Sequence, residues 1–148
     1  MKIYNRNAKR DYHILETLEA GVALSGAEVK SVRLGRVDLN QSYAKIISAE
    51  AFLINAYIYP FSGVTTQDYV PNRTRKLLLH KNQINALVGK TSAKAVNLVP
   101  LSLYSTRNLI KVELALAASK KKYDHKKAIK EKDEKRKLEQ ELRGKNQE

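Results

Sequence analysis

Apolar and polar residues alternate along five stretches of the chain, which is the pattern of a half-buried β-strand. Leu18, Ala20 and Val22 show it most clearly, because Glu and Gly separate them. Pro100 interrupts the fourth stretch and predicts a sheet edge or a β-bulge there, since proline has no amide hydrogen to donate. The five predicted strands are His13–Leu24, Ser42–Ile47, Ala51–Tyr59, Val96–Tyr104 and Leu109–Ala117.

A short helix is predicted after the first strand. Ser25 and Glu28 have the spacing of a capping box, in which each side chain accepts a hydrogen bond from the other residue's backbone amide. The helix should span Ala27–Leu34, and Gly35 follows at the position where a helix commonly ends. Glu28 therefore has two candidate roles, either as a structural cap or as an exposed acceptor for the amines of nucleobases.

A second helix is predicted ahead of the fourth strand, where Asn82 can cap the first turn and Gly89 can end the last one. Its core face should consist of Ile84, Leu87 and Val88. Two other segments lack any apolar period. We expect Met1–Tyr12 to be an extended or poorly ordered basic arm, and Pro60–Pro71 to be a loop. Short strands at this spacing, with a helix between them, predict a mainly β protein built on a small closed antiparallel barrel.

The last thirty residues differ from the rest of the chain. Residues 119–148 contain 12 Lys or Arg and 7 Asp or Glu, with few large apolar side chains. Such a segment cannot bury enough surface to offset its ordering entropy, so we expect it to be disordered alone. Pairs such as Glu131 with Lys135 have helical i,i+4 spacing, which favours a helix when a polyanion binds. A solvated solubility tail is the alternative. Under either interpretation of the tail, residues 1–118 are predicted to form the folded domain.

The net charge of the chain indicates which class of partner it binds. The chain has a formal net charge of +13, and residues 1–118 alone hold 16 basic and 8 acidic side chains. A sustained positive balance points first to nucleic acid and second to anionic membranes. The tail lacks the Trp, Phe and Leu face of an interfacial helix, and no signal peptide is visible at Met1–Tyr12, so we expect a cytoplasmic protein without a membrane partner.

Nothing in the sequence favours catalysis. The three histidines, His13, His80 and His125, are far apart, and no pair of them has metal-ligand spacing. The chain has no cysteine, and its six glycines form no phosphate-binding loop. We therefore predict no catalytic residue, no metal and no cofactor.

Basic clusters recur along the chain and make RNA or DNA the favoured ligand. They are Arg6, Lys9 and Arg10; Lys30, Arg33 and Arg36; Arg73, Arg75 and Lys76; and Lys120, Lys121 and Lys122. Eight tyrosines are available as stacking platforms, although several should belong to the core. Composition and periodicity do not choose between RNA and DNA.

Several stretches together resemble the SsrA-binding protein family of bacterial trans-translation. The most specific match is Gly26–Arg33 with Gly35, followed by Arg73–Lys81. The opening Asn5-Arg6 with Asp11-Tyr12 also matches. The remaining matches, in order, are Leu98–Tyr104, Lys111–Leu114 and Lys120–Asp124.

The resemblance implies an OB-like barrel with two or three flanking helices and a basic C-terminal tail. It implies that the body binds the tRNA-like domain of transfer-messenger RNA (tmRNA) and delivers it to stalled ribosomes, with the tail in the empty mRNA channel beside the rRNA of the small subunit. A monomer is expected in that complex, without cofactor. The alternative is a ribosomal or general structured-RNA-binding protein.

Candidate site residues follow from these matches and from the basic clusters. The predicted RNA-binding residues are Asn5, Arg6, Lys9, Arg10, Glu28, Lys30, Arg33, Arg73, Arg75, Lys76, Lys120, Lys121 and Lys122. The residues of the tail that are predicted to contact the ribosome are Tyr123, Asp124, His125, Lys126, Lys127, Lys130 and Arg136.

The chain departs from the family pattern at a few positions. His125 stands where the family usually has Lys, and because its pKa lies near neutrality we expect a weaker charge there. Ala115 and Ser119 stand where the family has glycines, which should stiffen the connection to the tail, and Ala95 likewise replaces a glycine.

Overall fold

A computed structural model describes residues 2–61, 68–92 and 96–120, together with Arg136. Those residues form nine strands and three helices. The strands are β1 (Lys2–Tyr4), β2 (Tyr12–Val22), β3 (Val37–Asp38), β4 (Tyr43–Ile47), β5 (Glu50–Ile54), β6 (Tyr57–Ile58), β7 (Arg75–Leu78), β8 (Val96–Thr106) and β9 (Leu109–Ser119). The helices are α1 (Ala8–Asp11), α2 (Gly26–Arg33) and α3 (Lys81–Thr91).

Six of the strands close into an antiparallel barrel in the order β8-β4-β5-β7-β2-β9, and β9 returns to β8. Strand β8 exchanges partners along its length, since Leu98 pairs with β4 whereas Ser102 and Tyr104 pair with β1. The exchange coincides with a register shift between Pro100 and Ser102. The bulge predicted at Pro100 is thus confirmed, as is the mainly β barrel.

The interior of the barrel is apolar and well buried. Val112 and Leu114 of β9 are fully buried among leucines from the other strands, including Leu53 and Leu77. Strand β9 is also covered on its second face, because Ala115 and Ala117 pack with Val99 of β8 against the first residues of β2, including Ile14. Burial of this much apolar surface, at roughly 25 cal/mol per Å², is the main stabilising contribution.

The N-terminal arm is more ordered than we predicted. Residues of β1 pair with β8, and the backbone amide of Asn5 donates to the carbonyl of Leu101 at 2.8 Å. The Asn5 side chain, which is buried, donates through Nδ2 to the carbonyl of Pro100 at 2.9 Å. The prediction of an extended or poorly ordered arm is confirmed only for the extended strand β1. The arm is otherwise ordered, with helix α1 after Asn7, and the bonds that hold it join residues about a hundred positions apart and leave no local pattern.

Helix α3 and the predicted third strand also differ from prediction. Helix α3 begins after His80 rather than at Asn82, because the Gln83 side chain accepts from the His80 amide at 3.0 Å, and the helix continues through Gly89 to Thr91. Val88, predicted in its core face, is 49% exposed. The predicted third strand is also divided into β5 and β6 by a left-handed residue at position 55.

Both tight hairpins turn without glycine. Ser48 and Ala49 join β4 to β5 with φ of 52° and 63°, and Arg107 and Asn108 join β8 to β9 with φ of 46° and 66°. Positive φ at both central residues is the geometry of a type I′ turn, which matches the twist of the strands. Ala49 holds a conformation that costs about 1–2 kcal/mol for a residue with a Cβ.

Across the described ranges, no helix is both long and apolar enough to cross a membrane. Most of the tail lies outside those ranges, so its disorder alone and its helix on binding stay predictions.

Candidate nucleic-acid interface

Glu28 lies in the first turn of α2, and it is buried. Its Oε1 atom accepts from the Ser25 amide at 2.9 Å, and its own amide donates to Ser25 Oγ at 3.3 Å. The predicted capping box is therefore confirmed. The Glu28 side chain is 2% exposed, so the alternative role as an exposed acceptor for nucleobases does not fit this structure.

Arg75 is the buried partner of Glu28. Its Nε atom donates to Glu28 Oε2 at 2.6 Å, and the side chain is fully buried. Its Nη1 atom donates to the carbonyl oxygens of Ala56 at 2.7 Å and Arg73 at 3.0 Å, while Nη2 donates to that of Pro71 at 2.9 Å. One guanidinium thus ties α2, the start of β6 and the chain before β7 together.

Arg73 brings a second positive charge to the same carboxylate. Its guanidinium donates to Oε1 of Glu28, and its side chain remains 45% exposed. Two arginines against one carboxylate leave a surplus positive charge, and Arg73 is the member that presents it to solvent. The Glu28–Arg73–Arg75 triad therefore fixes a cation at the surface by means of a buried acid.

The pKa of Glu28 reflects this environment. Burial is the largest single influence and raises the pKa, because it disfavours the charged carboxylate. Hydrogen bonds from Arg73, the Ser25 amide and Arg75, with the nearby charge of Arg75, together outweigh burial and hold the pKa below its ordinary value. Glu28 is therefore ionised at neutral pH.

Aromatic side chains lie beside α2. Tyr57 and Tyr59 contact each other edge-on, with ring centroids 4.8 Å apart, and the backbone amide of Tyr59 donates to the carbonyl of Arg36 at 3.0 Å. Two residues further along, the Phe61 ring lies 5.4 Å from the Lys30 ammonium. We call Tyr57, Tyr59 and Phe61 the aromatic strip. Its signal in the sequence was an aromatic residue at every second position. We had predicted the two tyrosines as part of the third strand and Phe61 as part of the loop that follows.

A second surface, on the outside of the barrel, combines an aromatic ring with charged side chains. The Tyr104 hydroxyl donates to the Glu19 carboxylate, and burial of the phenol together with this bond raises the pKa of Tyr104 to about 12. Lys111 stands in register with both Tyr104 and Gly21. A Cβ on Gly21 would come within 3.2 Å of Leu78, which is exposed. A glycine inside a strand often marks a close approach of two chain segments. Gly21 was therefore the sequence feature that could have indicated the contact with Leu78.

The comparisons with known proteins agree with this fold. The family model described as SmpB protein matches residues 2–144. The SsrA-binding protein of Carboxydothermus hydrogenoformans is 49% identical over 139 residues, covering 94% of this chain and 93% of that protein. The SsrA-binding protein of Aquifex aeolicus is 48% identical over 142 residues, covering 95% and 90%. The chain belongs to the SmpB family. The family resemblance predicted from the sequence is confirmed.

A solved structure described as "tmRNA-SmpB: a journey to the center of the bacterial ribosome" is also similar. Its SmpB-like chain has a TM-score of 0.69 and 47% identity, covering 80% of this chain and 84% of that one. The barrel and its flanking helices are therefore those of the SmpB family.

The candidate site residues of this SmpB family member fall into three groups. Exposed on the body are Arg6, Lys9, Arg10, Lys30, Arg33, Arg73 and Lys76. Buried are Asn5, Glu28 and Arg75. Lys120 is half-buried at the end of β9 and Arg136 is exposed, whereas Lys121, Lys122, Tyr123, Asp124, His125, Lys126, Lys127 and Lys130 lie outside the described residues.

The basic cluster at residues 73–76 is divided by the strand that contains it. Successive side chains of β7 point to opposite faces, so Arg75 is inside while Lys76 is outside, 3.4 Å from Glu50. Arg10 is likewise exposed and lies 3.2 Å from Asp11. The cations of this cluster therefore do not share one exposed face, and Arg75 in this structure has no surface to offer a phosphate.

Metal ligation finds no support in the part of the chain that the structure describes, where no group of three or more His, Asp or Glu side chains comes together. The described surface of this SmpB family member instead offers exposed cations beside aromatic rings, a combination that suits RNA.

Proposed function

We propose that this chain is an RNA-binding adaptor of trans-translation. It binds the tRNA-like domain of tmRNA and delivers it to stalled ribosomes. The observation that carries the proposal is the match to SsrA-binding proteins over more than nine-tenths of the chain. The similar solved structure, whose description names tmRNA, SmpB and the bacterial ribosome, supports the same partners.

The exposed cations of the body make the contacts with phosphates. Each cation that meets a phosphate releases a condensed counterion, which makes affinity high at low salt and steeply dependent on salt. Glu28 and Arg75 act by support: their ion pair holds α2 and the residues before β7 in place. Arg73 is thereby presented in one position, so less entropy is lost when RNA binds.

The tail supplies a second contact. Beyond β9 and Lys120, the tail stays disordered in the free protein and becomes helical in the empty mRNA channel, where small-subunit rRNA surrounds it. The predicted contacts extend from Tyr123 through Lys130 to Arg136. The protein acts in the cytoplasm as a monomer within the complex, and it contributes binding rather than catalysis.

A competition titration tests the proposal against a general structured-RNA-binding role. Labelled tmRNA tRNA-like domain is displaced from the full-length protein by unlabelled tRNA-like domain or by an unrelated hairpin RNA of equal length, at moderate salt. We expect the tRNA-like domain to compete far better. Equal competition by the two RNAs would instead favour a general binder, because charge alone does not distinguish them.

A further inference from the structure

The three rings of the aromatic strip occupy every second position of one segment, unlike the other tyrosines of the body. Tyr57 and Ile58 form β6, in which neighbouring side chains point to opposite faces. Ile58 is fully buried, so Tyr57 faces outward, and Tyr59 is exposed beside it. Two adjoining rings with open surface are what successive unpaired bases need for stacking.

Cations flank the strip along its length. The Lys30 ammonium lies 5.4 Å from the Phe61 ring, and Arg36 is exposed next to Tyr59. A cleft of about 470 Å³ separates Tyr59 from the N-terminal arm and is also lined by Arg6 and Asp38. Among these described neighbours the cations outnumber the carboxylates, so the strip lies in a positive field.

Residues outside the aromatic strip hold the backbone of β6 in place. The Tyr69 hydroxyl donates to the carbonyl of Ile58 at 2.7 Å, and the amide of Ile58 donates to the carbonyl of Pro71 at 3.0 Å. Arg75 holds both Pro71 and Ala56, which precedes β6. The segment is therefore fixed from inside, and the outward faces of Tyr57 and Tyr59 are left for a ligand.

We propose that the aromatic strip, with Lys30, Arg36 and Arg6, is a stacking track for two or three consecutive unpaired nucleotides of RNA. Bases stack on Tyr57, Tyr59 and Phe61, and the cations meet the intervening phosphates. Duplex RNA does not fit this role, because its bases are already stacked and its deep groove is closed to side chains. The inference deepens the proposed RNA-binding function by assigning a single-stranded substrate to one surface.

The test uses full-length protein and an unlabelled hexamer of adenosine, with a hairpin RNA of equal charge as the comparison. The protein contains eight tyrosines and no tryptophan, so tyrosine emission reports stacking directly. Tyr59 and Tyr43 are each 42% exposed, which makes Tyr43→Leu the matched control for Tyr59→Leu. Tyr59→Phe keeps the ring.

We expect the hexamer to quench tyrosine emission of the wild type and of Tyr43→Leu, but much less that of Tyr59→Leu. Loss of one stacked base should weaken hexamer binding by about 5-fold to 150-fold in Tyr59→Leu, with the salt slope unchanged. Tyr59→Phe should bind within about twofold of the wild type, since a phenyl ring offers the same stacking face. Arg36→Gln should lower the magnitude of the slope by about 0.7, and it serves as the second variant if Tyr59→Leu unfolds.

Equal hexamer affinity of Tyr59→Leu and Tyr43→Leu would overturn the stacking track. So would a wild type that binds the tRNA-like domain of tmRNA but not the hexamer, and in that case the proposed function survives. A wild type that binds neither RNA would contradict both.

Discussion

The Nε atom of Arg75 donates a hydrogen bond of 2.6 Å to Oε2 of Glu28, across 47 positions of the chain. The two side chains are buried, yet each is satisfied by further partners, and Arg73 adds a cation at the surface. This pair joins the capped start of α2 to β7. It therefore couples the stability of the body to the arrangement of its candidate RNA-binding residues.

Replacing Glu28 by Gln should destabilise the protein substantially. The change leaves Arg75 as a buried cation without a counterion, and breaking a buried pair in this way costs about 3–5 kcal/mol. Urea unfolding measures the loss. Glu50→Gln is the control, since Glu50 pairs with Lys76 at the exposed surface and should cost at most about 1 kcal/mol. Equal losses in the two variants would contradict the role of the buried pair.

The same carboxylate predicts how stability depends on pH. The pKa of Glu28 in the folded protein lies below the value of 4.5 expected for the unfolded chain. Its contribution to stability is therefore present above about pH 4.5 and is lost as pH falls through the folded pKa. The free energy of unfolding of the wild type should fall more steeply than that of Glu28→Gln below about pH 4.5. Parallel curves would show that Glu28 is not stabilised in its charged form.

Replacing Ala49 by Gly should stabilise the protein. Ala49 has φ of 63°, and glycine removes a strain of about 1 kcal/mol in that left-handed conformation. Thermal and urea unfolding should both shift upward. Ala86→Gly on the exposed side of α3 is the matched control, and it should destabilise by about 1 kcal/mol because glycine weakens a helix interior. A loss of stability in Ala49→Gly would show that the turn is unstrained.

Replacing Arg73 by Gln should change how tmRNA binding responds to salt. If Arg73 meets one phosphate, its loss lowers the magnitude of the slope of log affinity against log salt by about 0.7–0.9. Lys90→Gln makes the same charge change on α3, where Lys90 lies 2.8 Å from Glu16, and should leave the slope unaltered. Fluorescence anisotropy at several salt concentrations gives both slopes. Identical slopes for the two variants would remove Arg73 from the interface.

Much of the fold could be predicted from local patterns. The capping box of Ser25 and Glu28, the alternation of buried and less buried residues along Leu109–Leu114 of β9, and the bulge at Pro100 each depend on neighbouring residues, and each is confirmed. The order of the N-terminal arm could not be predicted this way. Asn5 is held by carbonyl groups in β8, which no local period reveals.

The candidate site was less predictable than the fold. Residues 73–76 form one basic cluster in sequence, but the pleat of β7 turns Arg75 inward to Glu28 and leaves Lys76 outside. Which arginine is exposed depends on where β7 begins, and a run of polar residues does not specify the start of a strand. Glu28 similarly had two open roles until its burial decided for the structural one.

The most direct measurement of the central claim is tmRNA-dependent peptide tagging on stalled ribosomes, reconstituted with the full-length protein and with a variant that ends at Ser119. We predict that the full-length protein supports tagging, whereas the shortened variant retains most of its tmRNA affinity, since the body keeps its own positive balance, but supports none. Tagging by the shortened variant at the full-length rate would contradict the account, as would a full-length protein that binds tmRNA and yields no tagged peptide.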